Sequence, residues 1–134
     1  MKQDVKSEWV KRLRDGRPQT VGALLREKDD VMVAAGQCCL GVLCEIAKEE
    51  GVVEVYRHLD GSFLGYGKPG MNYNDISHGH GYITNGTLPD EVKDWAGLPS
   101  TNPRAGHRGR LAGLNDHGKT FYEIADIIEN EELL

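Results

Sequence analysis

Residues 38–44 read CCLGVLC, seven consecutive positions without a charged side chain. They hold all three cysteines of the chain, and the run continues as EIAKEEG to Gly51. Cys39, Leu43, Ile46 and Ala47 recur at helical spacing on one face, and Leu40 and Val42 widen it. A helix apolar around most of its circumference must be covered on most sides. The run therefore predicts a helix over 38–50, stopped by Gly51 as C-cap, that is the most buried element of the fold.

The flanking segments read as elements that cover this helix. Val5, Trp9 and Leu13, with Val10 beside them, form the apolar stripe of an amphipathic helix ending at Asp15-Gly16. Thr20 to Lys28 and Val31 to Ala35 read as short strands joined at Asp29-Asp30, with helix as an alternative for the ALLREK segment. Val52 to Leu59 and Ser62 to Tyr66 read as a hairpin about Asp60-Gly61. Residues 65–87, rich in Gly, Asn and Ser with aromatic and His residues mixed in, read as a long irregular loop. Pro89 opens a helix with Val92, Trp95 and Ala96 on its inner face and Gly97 at its end. Leu111 to Asn115 is a short helix turning at His117-Gly118. Thr120 and Glu123 form the T-x-x-E capping box of a last helix carrying Phe121, Ile124, Ala125 and Ile128. The expected fold is α+β in a single domain spanning 1–134. A small antiparallel sheet packs on the central buried helix, and the C-terminal third is helical.

A chain of 134 residues, 39% hydrophobic and 28% charged, has the balance of a globular domain. No stretch approaches the ~20 apolar residues of a membrane span, and Met1-Lys2-Gln3-Asp4 lacks the apolar run of a signal peptide. The expected location is the cytoplasm. The odd number of cysteines fits reduced thiols there, and the adjacent Cys38 and Cys39 would bridge each other only with strain. A formal net charge of −5 counts against nucleic acid as a partner, although Arg104, His107, Arg108 and Arg110 cluster locally.

Three blocks, CCLGVLCEIA, LPDEVKDWAGL and LAGLNDHGKTFYEIADIIE, follow a Trp-bearing helix in that order. In this combination the chain resembles a family of small proteins encoded by tailed bacteriophages. The blocks cover 38–47, 88–98 and 111–129. The resemblance implies a phage genome as the origin and a bacterial host cell as the site of action. It carries over no activity and no catalytic residue, and residues 65–87 have no counterpart in it.

Four chemistries merit weighing. A thiol at a helix N-terminus is favoured as thiolate by the helix dipole. Cys38 or Cys39, with His78, His80 or His107 as base, is therefore the candidate set for a cysteine-dependent hydrolase, and His117 is a further imidazole in reach of such a role. Against this, free Cys is among the most buried residue types, and packing is the preferred reading. A zinc site is disfavoured, because Cys39 and Cys44 point about 140° apart on a helix; the HGH of His78 and His80 offers two ligands at most, and no metal or cofactor is expected. The segment NDHGKTFYEIADIIE resembles the opening of a helix-turn-helix, but no recognition helix follows. A DNA-binding regulator is thus the weaker alternative, and a helix closing the core the preferred one.

The last chemistry lies in the irregular stretches. Tyr66, Tyr73 and Tyr82 offer stacking faces. Lys68, Arg104, Arg108 and Arg110 offer phosphate partners, and His78 and His80 lie between. The expected function is a non-enzymatic binding protein, acting in counter-defence. It would sequester a small anionic, nucleotide-type signal or bind a host protein. The ligand-binding set is Lys68, Tyr73, His78, His80, Tyr82, Arg104, Arg108 and Arg110, clasping the ligand within one chain or across a homo-oligomer interface.

Overall fold

In a computed structural model of the protein, residues 1–28, 31–58, 64–72 and 83–134 are described. The helix α1 spans Gln3–Leu13 and buries Val5, Trp9, Val10 and Leu13, the stripe expected from their spacing. It is followed by strands β1 (Arg26–Lys28) and β2 (Val31–Gly36), which pair antiparallel. Helix α2 spans Cys39–Glu49 with Cys38 as its N-cap. Gly51 follows it in the left-handed region, φ 77°. Strands β3 (Glu54–Arg57) and β4 (Leu64–Gly67) pair antiparallel, Glu54 opposite Gly67 and Arg57 opposite Leu64. The C-terminal third holds α3 (Asp90–Ala96), a single 3₁₀ turn (Gly106–Arg108), α4 (Leu111–Asp116) and α5 (Phe121–Asn130). This is the α+β architecture expected, with two short antiparallel ladders among the described residues.

Helix α2 is the centre of the core. Cys39, Leu40, Val42, Leu43, Cys44 and Ala47 have no exposed surface at all. Helix α1 packs on α2 and α5, and α2 touches α3 and α4 as well. Residues 39–44 are buried on every side, as the uncharged run requires, while Glu45, Lys48 and Glu49 in the last turns reach the surface. Gly41 permits the closest of these approaches. A Cβ built there would stand 1.7 Å from the Leu24 carbonyl oxygen, so the 23–25 segment crosses α2 where no side chain fits.

The ion pairs lie at the rim of this core. Arg12 bridges α1 to α2 through Glu49 at 2.5 Å, and Arg14 bridges α1 to α5 through Asp126 at 2.6 Å and Glu129 at 3.0 Å. Arg17 binds Asp15 and Glu45. The Arg12 guanidinium holds the Glu49 carboxyl below the usual carboxylate range.

Two sequence expectations change. Residues 20–25 are not strand. The Gly22 N–H donates to Asp116 Oδ1 at 2.9 Å and the Leu24 N–H to the Asn85 carbonyl, so this backbone is spent on other partners than a ladder. Part of 65–87 is also less irregular than its composition suggests. Tyr66 lies in β4 and exchanges both backbone bonds with Thr84 at 2.8 Å. Gly65 makes room for that third segment, because a Cβ there would sit 2.7 Å from the Thr84 oxygen. The turn residues Asp29-Asp30 and Asp60-Gly61, and the segment 73–82, lie outside the described residues.

Candidate functional site

The cysteine end of α2 is built for packing. Cys38 is 3% exposed, and Cys39 and Cys44 are not exposed. Burial pushes all three thiols up, outweighing the backbone N–H groups around Cys38 and Cys39 that favour thiolate. This reverses the direction expected from the helix dipole: removing a thiolate from water costs more than the first turn of a helix returns. Of the proposed bases, His107 is exposed on the 3₁₀ turn, and His78 and His80 lie outside the described residues.

Side chains from distant parts of the chain close this end of the helix. The Asn115 Oδ1 accepts the Cys39 N–H at 3.1 Å and the Gln19 Nε2–H at 2.8 Å. Its amide donates to the Thr20 carbonyl at 2.8 Å and to Asp116 Oδ1 at 3.1 Å. The Trp9 indole donates to the Cys39 carbonyl at 2.9 Å, and the Gln19 Oε1 accepts the Phe121 N–H at the start of α5 at 3.0 Å. One orphan donor at the N-terminus of each of α2 and α5, the Cys39 N–H and the Phe121 N–H, is thus met inside one polar knot. The Asn115-Asp116 pair of the LNDHG segment belongs to that knot.

The cationic side chains gather elsewhere, on the far side of α4. A shallow surface cleft of about 250 Å³ is lined by Arg108, Gly109, Arg110, Gly113, Leu114, His117 and Lys119. The 3₁₀ turn presents one wall and the C-terminal end of α4 the other. Gly109 has φ 110°, a conformation that suits glycine, and lets the chain reverse between the two arginines. The Arg110 Nη1 donates to the Asn102 carbonyl at 2.9 Å. This anchors the guanidinium without cancelling its charge. Arg108 Nε pairs with Glu131 at 3.0 Å, and Lys119 Nζ lies 3.5 Å from Glu123. His117 Nδ1 is 2.7 Å from the Gly113 carbonyl. A carbonyl only accepts, so Nδ1 carries a proton and Nε2 is left for another partner.

A second cleft of about 220 Å³ shares Arg108 and Lys119 and is otherwise lined by Glu123, Asp126, Ile127, Asn130 and Glu131. Arg108 and Lys119 therefore partition a basic hollow from an acidic one.

The stretch carrying the arginines is held firmly. The Arg104 N–H donates to the Leu134 carbonyl and the Leu134 N–H to the Arg104 carbonyl, both at 2.8 Å. The Ala105 N–H donates to the Gly109 carbonyl and the Leu111 N–H to the Pro103 carbonyl, both at 2.9 Å.

Of the residues expected to bind, Arg108 and Arg110 line one cleft together. Arg104 and Lys68 are exposed but do not line it. Tyr66 is 2% exposed, with its phenol pushed up by burial, and offers no stacking face. Tyr73, His78, His80 and Tyr82 lie outside the described residues. The sequence reading did not single out Gly113, Leu114 or Lys119 as lining. Their only local signal is a cation just past a short helix. Among the described residues no group of three or more His, Cys, Asp or Glu could hold a metal, and no helix is long and apolar enough to cross a membrane.

Fold and site together define a small α+β protein assembled around one buried helix, with a basic cleft on its surface. The chain belongs to the family described as Domain of unknown function (DUF8296), whose model matches residues 1–132. Neither a curated protein nor a solved structure matches it.

Proposed function

We propose that this chain is a phage-encoded, non-enzymatic binding protein acting in the host cytoplasm, and that its cleft at 108–119 takes a small anionic ligand of nucleotide type. The observation that carries this reading is the state of Arg110. Its guanidinium lines the cleft beside Arg108, Lys119 and His117, and it donates to a neutral carbonyl, that of Asn102. A fixed planar cation with donor edges left over matches a phosphate or carboxylate. Leu114 and the Cβ-less Gly109 and Gly113 let a flat ligand approach the backbone closely. The phage origin rests on the three sequence blocks 38–47, 88–98 and 111–129, and counter-defence against a host signal is the role such a binder would serve.

The cysteine-hydrolase alternative needs an accessible thiolate, and the three thiols are buried with their ionisation opposed. The DNA-regulator alternative needs a helix free to enter a groove, and α5 commits Phe121, Ile124, Ala125, Ile127 and Ile128 to the core.

Isothermal titration of the protein with a panel of nucleotides at low salt tests the proposal. Saturable binding is expected, weakened by Arg110→Gln and by added salt. Absence of heat across the panel, or binding indifferent to Arg110→Gln, sinks it.

A further inference from the structure

We infer that the ligand of this cleft carries a hydroxyl donor beside its anionic group, as a ribose phosphate does, and that His117 is the residue that reads this hydroxyl. The inference rests on the reading of the cleft as an anion site and narrows the class of anion it takes.

Donors are in excess in the cleft. Arg108, Arg110 and Lys119 have side chains that only donate, and Gly109, Gly113 and Leu114 have no polar side chain. Among the described residues, His117 is therefore the one lining side chain able to accept a hydrogen bond. The backbone adds few acceptors, because its carbonyls are engaged. The Gly109 carbonyl accepts the Ala105 N–H, that of Arg110 the Leu114 N–H and that of Leu114 the Lys119 N–H. The Lys119 carbonyl accepts the Gln19 Nε2–H at 2.9 Å.

The imidazole is held in one orientation. The His117 backbone N–H donates to the Gly113 carbonyl at 3.0 Å, and its ring Nδ1 lies 2.7 Å from the same oxygen. Both bonds clamp the ring onto the last turn of α4. Because Nδ1 carries the proton, the neutral ring has its lone pair on Nε2. Nε2 lies across the ring from this anchor, on the edge turned away from the helix, and makes no hydrogen bond among the described residues.

A charged oxygen without a proton only accepts, so against Nε2 it meets another acceptor. An anion with a neighbouring hydroxyl matches both halves of the cleft. Its charged oxygens take the guanidinium donors, and its O–H donates to Nε2. A site built to bond a ligand hydroxyl rejects the analogue lacking it, because its own polar group is then left without that partner. His117 is exposed, so water can meet the lone pair instead, and the discrimination is that of one solvated hydrogen bond.

Isothermal titration with AMP and its 2′,3′-dideoxy analogue tests this, because the pair share base and phosphate and differ only in the ribose hydroxyls. The titration is run at about pH 8, above the ordinary imidazole range. The wild-type protein is expected to bind AMP about three- to tenfold tighter than the dideoxy analogue, the scale of one hydrogen bond. His117→Phe is expected to abolish that preference, and His117→Gln, whose side-chain oxygen accepts, to restore most of it. Arg110→Gln is expected to weaken both nucleotides and leave their ratio unchanged. Equal affinity for the two nucleotides in the wild-type protein, or a preference that survives His117→Phe, overturns the role of His117. If Arg110→Gln then still weakens both, the anion site itself stands. Lack of binding by either nucleotide overturns site and selectivity together. Should a His117 variant fail to fold, the wild-type ratio alone decides.

Discussion

The side-chain oxygen of Asn115 accepts the backbone N–H of Cys39 at 3.1 Å, although the two residues are 76 positions apart. Cys38, the N-cap of α2, makes no side-chain cap of its own. An amide from α4 takes over the work that Ser, Thr or Asp usually does locally. The sulfur-rich run and the LNDHG segment are thereby one structural unit.

Asn115→Ala should therefore be costly. It removes a 1% exposed side chain and leaves the Cys39 N–H and the Thr20 carbonyl without this partner. The loss should be about 2–4 kcal/mol, from two or more buried hydrogen bonds with at least one group left unpaired. Urea unfolding checks it: the midpoint should fall with the slope unchanged.

Gly41→Ala should be worse than its single methyl suggests. The new Cβ would stand 1.7 Å from the Leu24 oxygen, which is backbone and cannot swing aside. Destabilisation of about 3 kcal/mol or more, or loss of folded protein, is expected from this overpacking. Gly86→Ala is the control, because its Cβ meets nothing within 4 Å; it should stay within about 0.5 kcal/mol of the parent in the same melt.

How far the chain could be read in advance follows from how local each cause is. The T-x-x-E box at Thr120 and Glu123 and the apolar spacing of α1 and α2 were legible because neighbouring residues carry the whole signal. The β3–β4 pairing was legible from alternation about a turn. Residues 20–25 were misread as strand because the partners that claim their N–H groups, Asp116 and Asn85, lie far along the chain. Tyr66 was legible as the end of the returning strand, but not the burial of its ring, because the glycines beside it mark a close strand approach as well as a turn. The cleft was half visible in Arg108 and Arg110. Its other wall, with His117 and Lys119, exists only once α4 turns back on the 3₁₀ segment.

Thr120→Ala should cost about 1 kcal/mol, the ordinary loss of an N-cap. The Thr120 Oγ1 accepts the Glu123 N–H at 3.2 Å and Glu123 Oε1 accepts the Thr120 N–H at 3.2 Å. The loss stays moderate because Gln19 still accepts the Phe121 N–H. Thermal unfolding followed by circular dichroism checks it.

The thiols set the alkaline limb of stability. Burial raises the ionisation of Cys38, Cys39 and Cys44 above that of an unfolded thiol, about 8.5. A group held protonated by the fold contributes fully below its unfolded pKa and loses that contribution as pH rises toward its folded one. Stability should therefore be level from neutrality to about pH 8.5 and fall above it, with the buried Tyr66 phenol adding to the decline near 10 and beyond. Denaturant midpoints between neutral and alkaline pH check the sign. A thiol reagent at neutral pH should label none of the three cysteines until the protein is denatured. Rapid labelling of Cys38 or Cys39 in the native protein would restore the hydrolase alternative.

The most direct measurement is a two-dimensional amide NMR spectrum recorded while AMP is added. The account predicts shifts centred on Gly109, Arg110, Gly113 and His117, with the amides of Cys38 to Cys44 unmoved. Shifts centred on the Cys38–Cys44 segment, or a spectrum that does not respond at all, would contradict it.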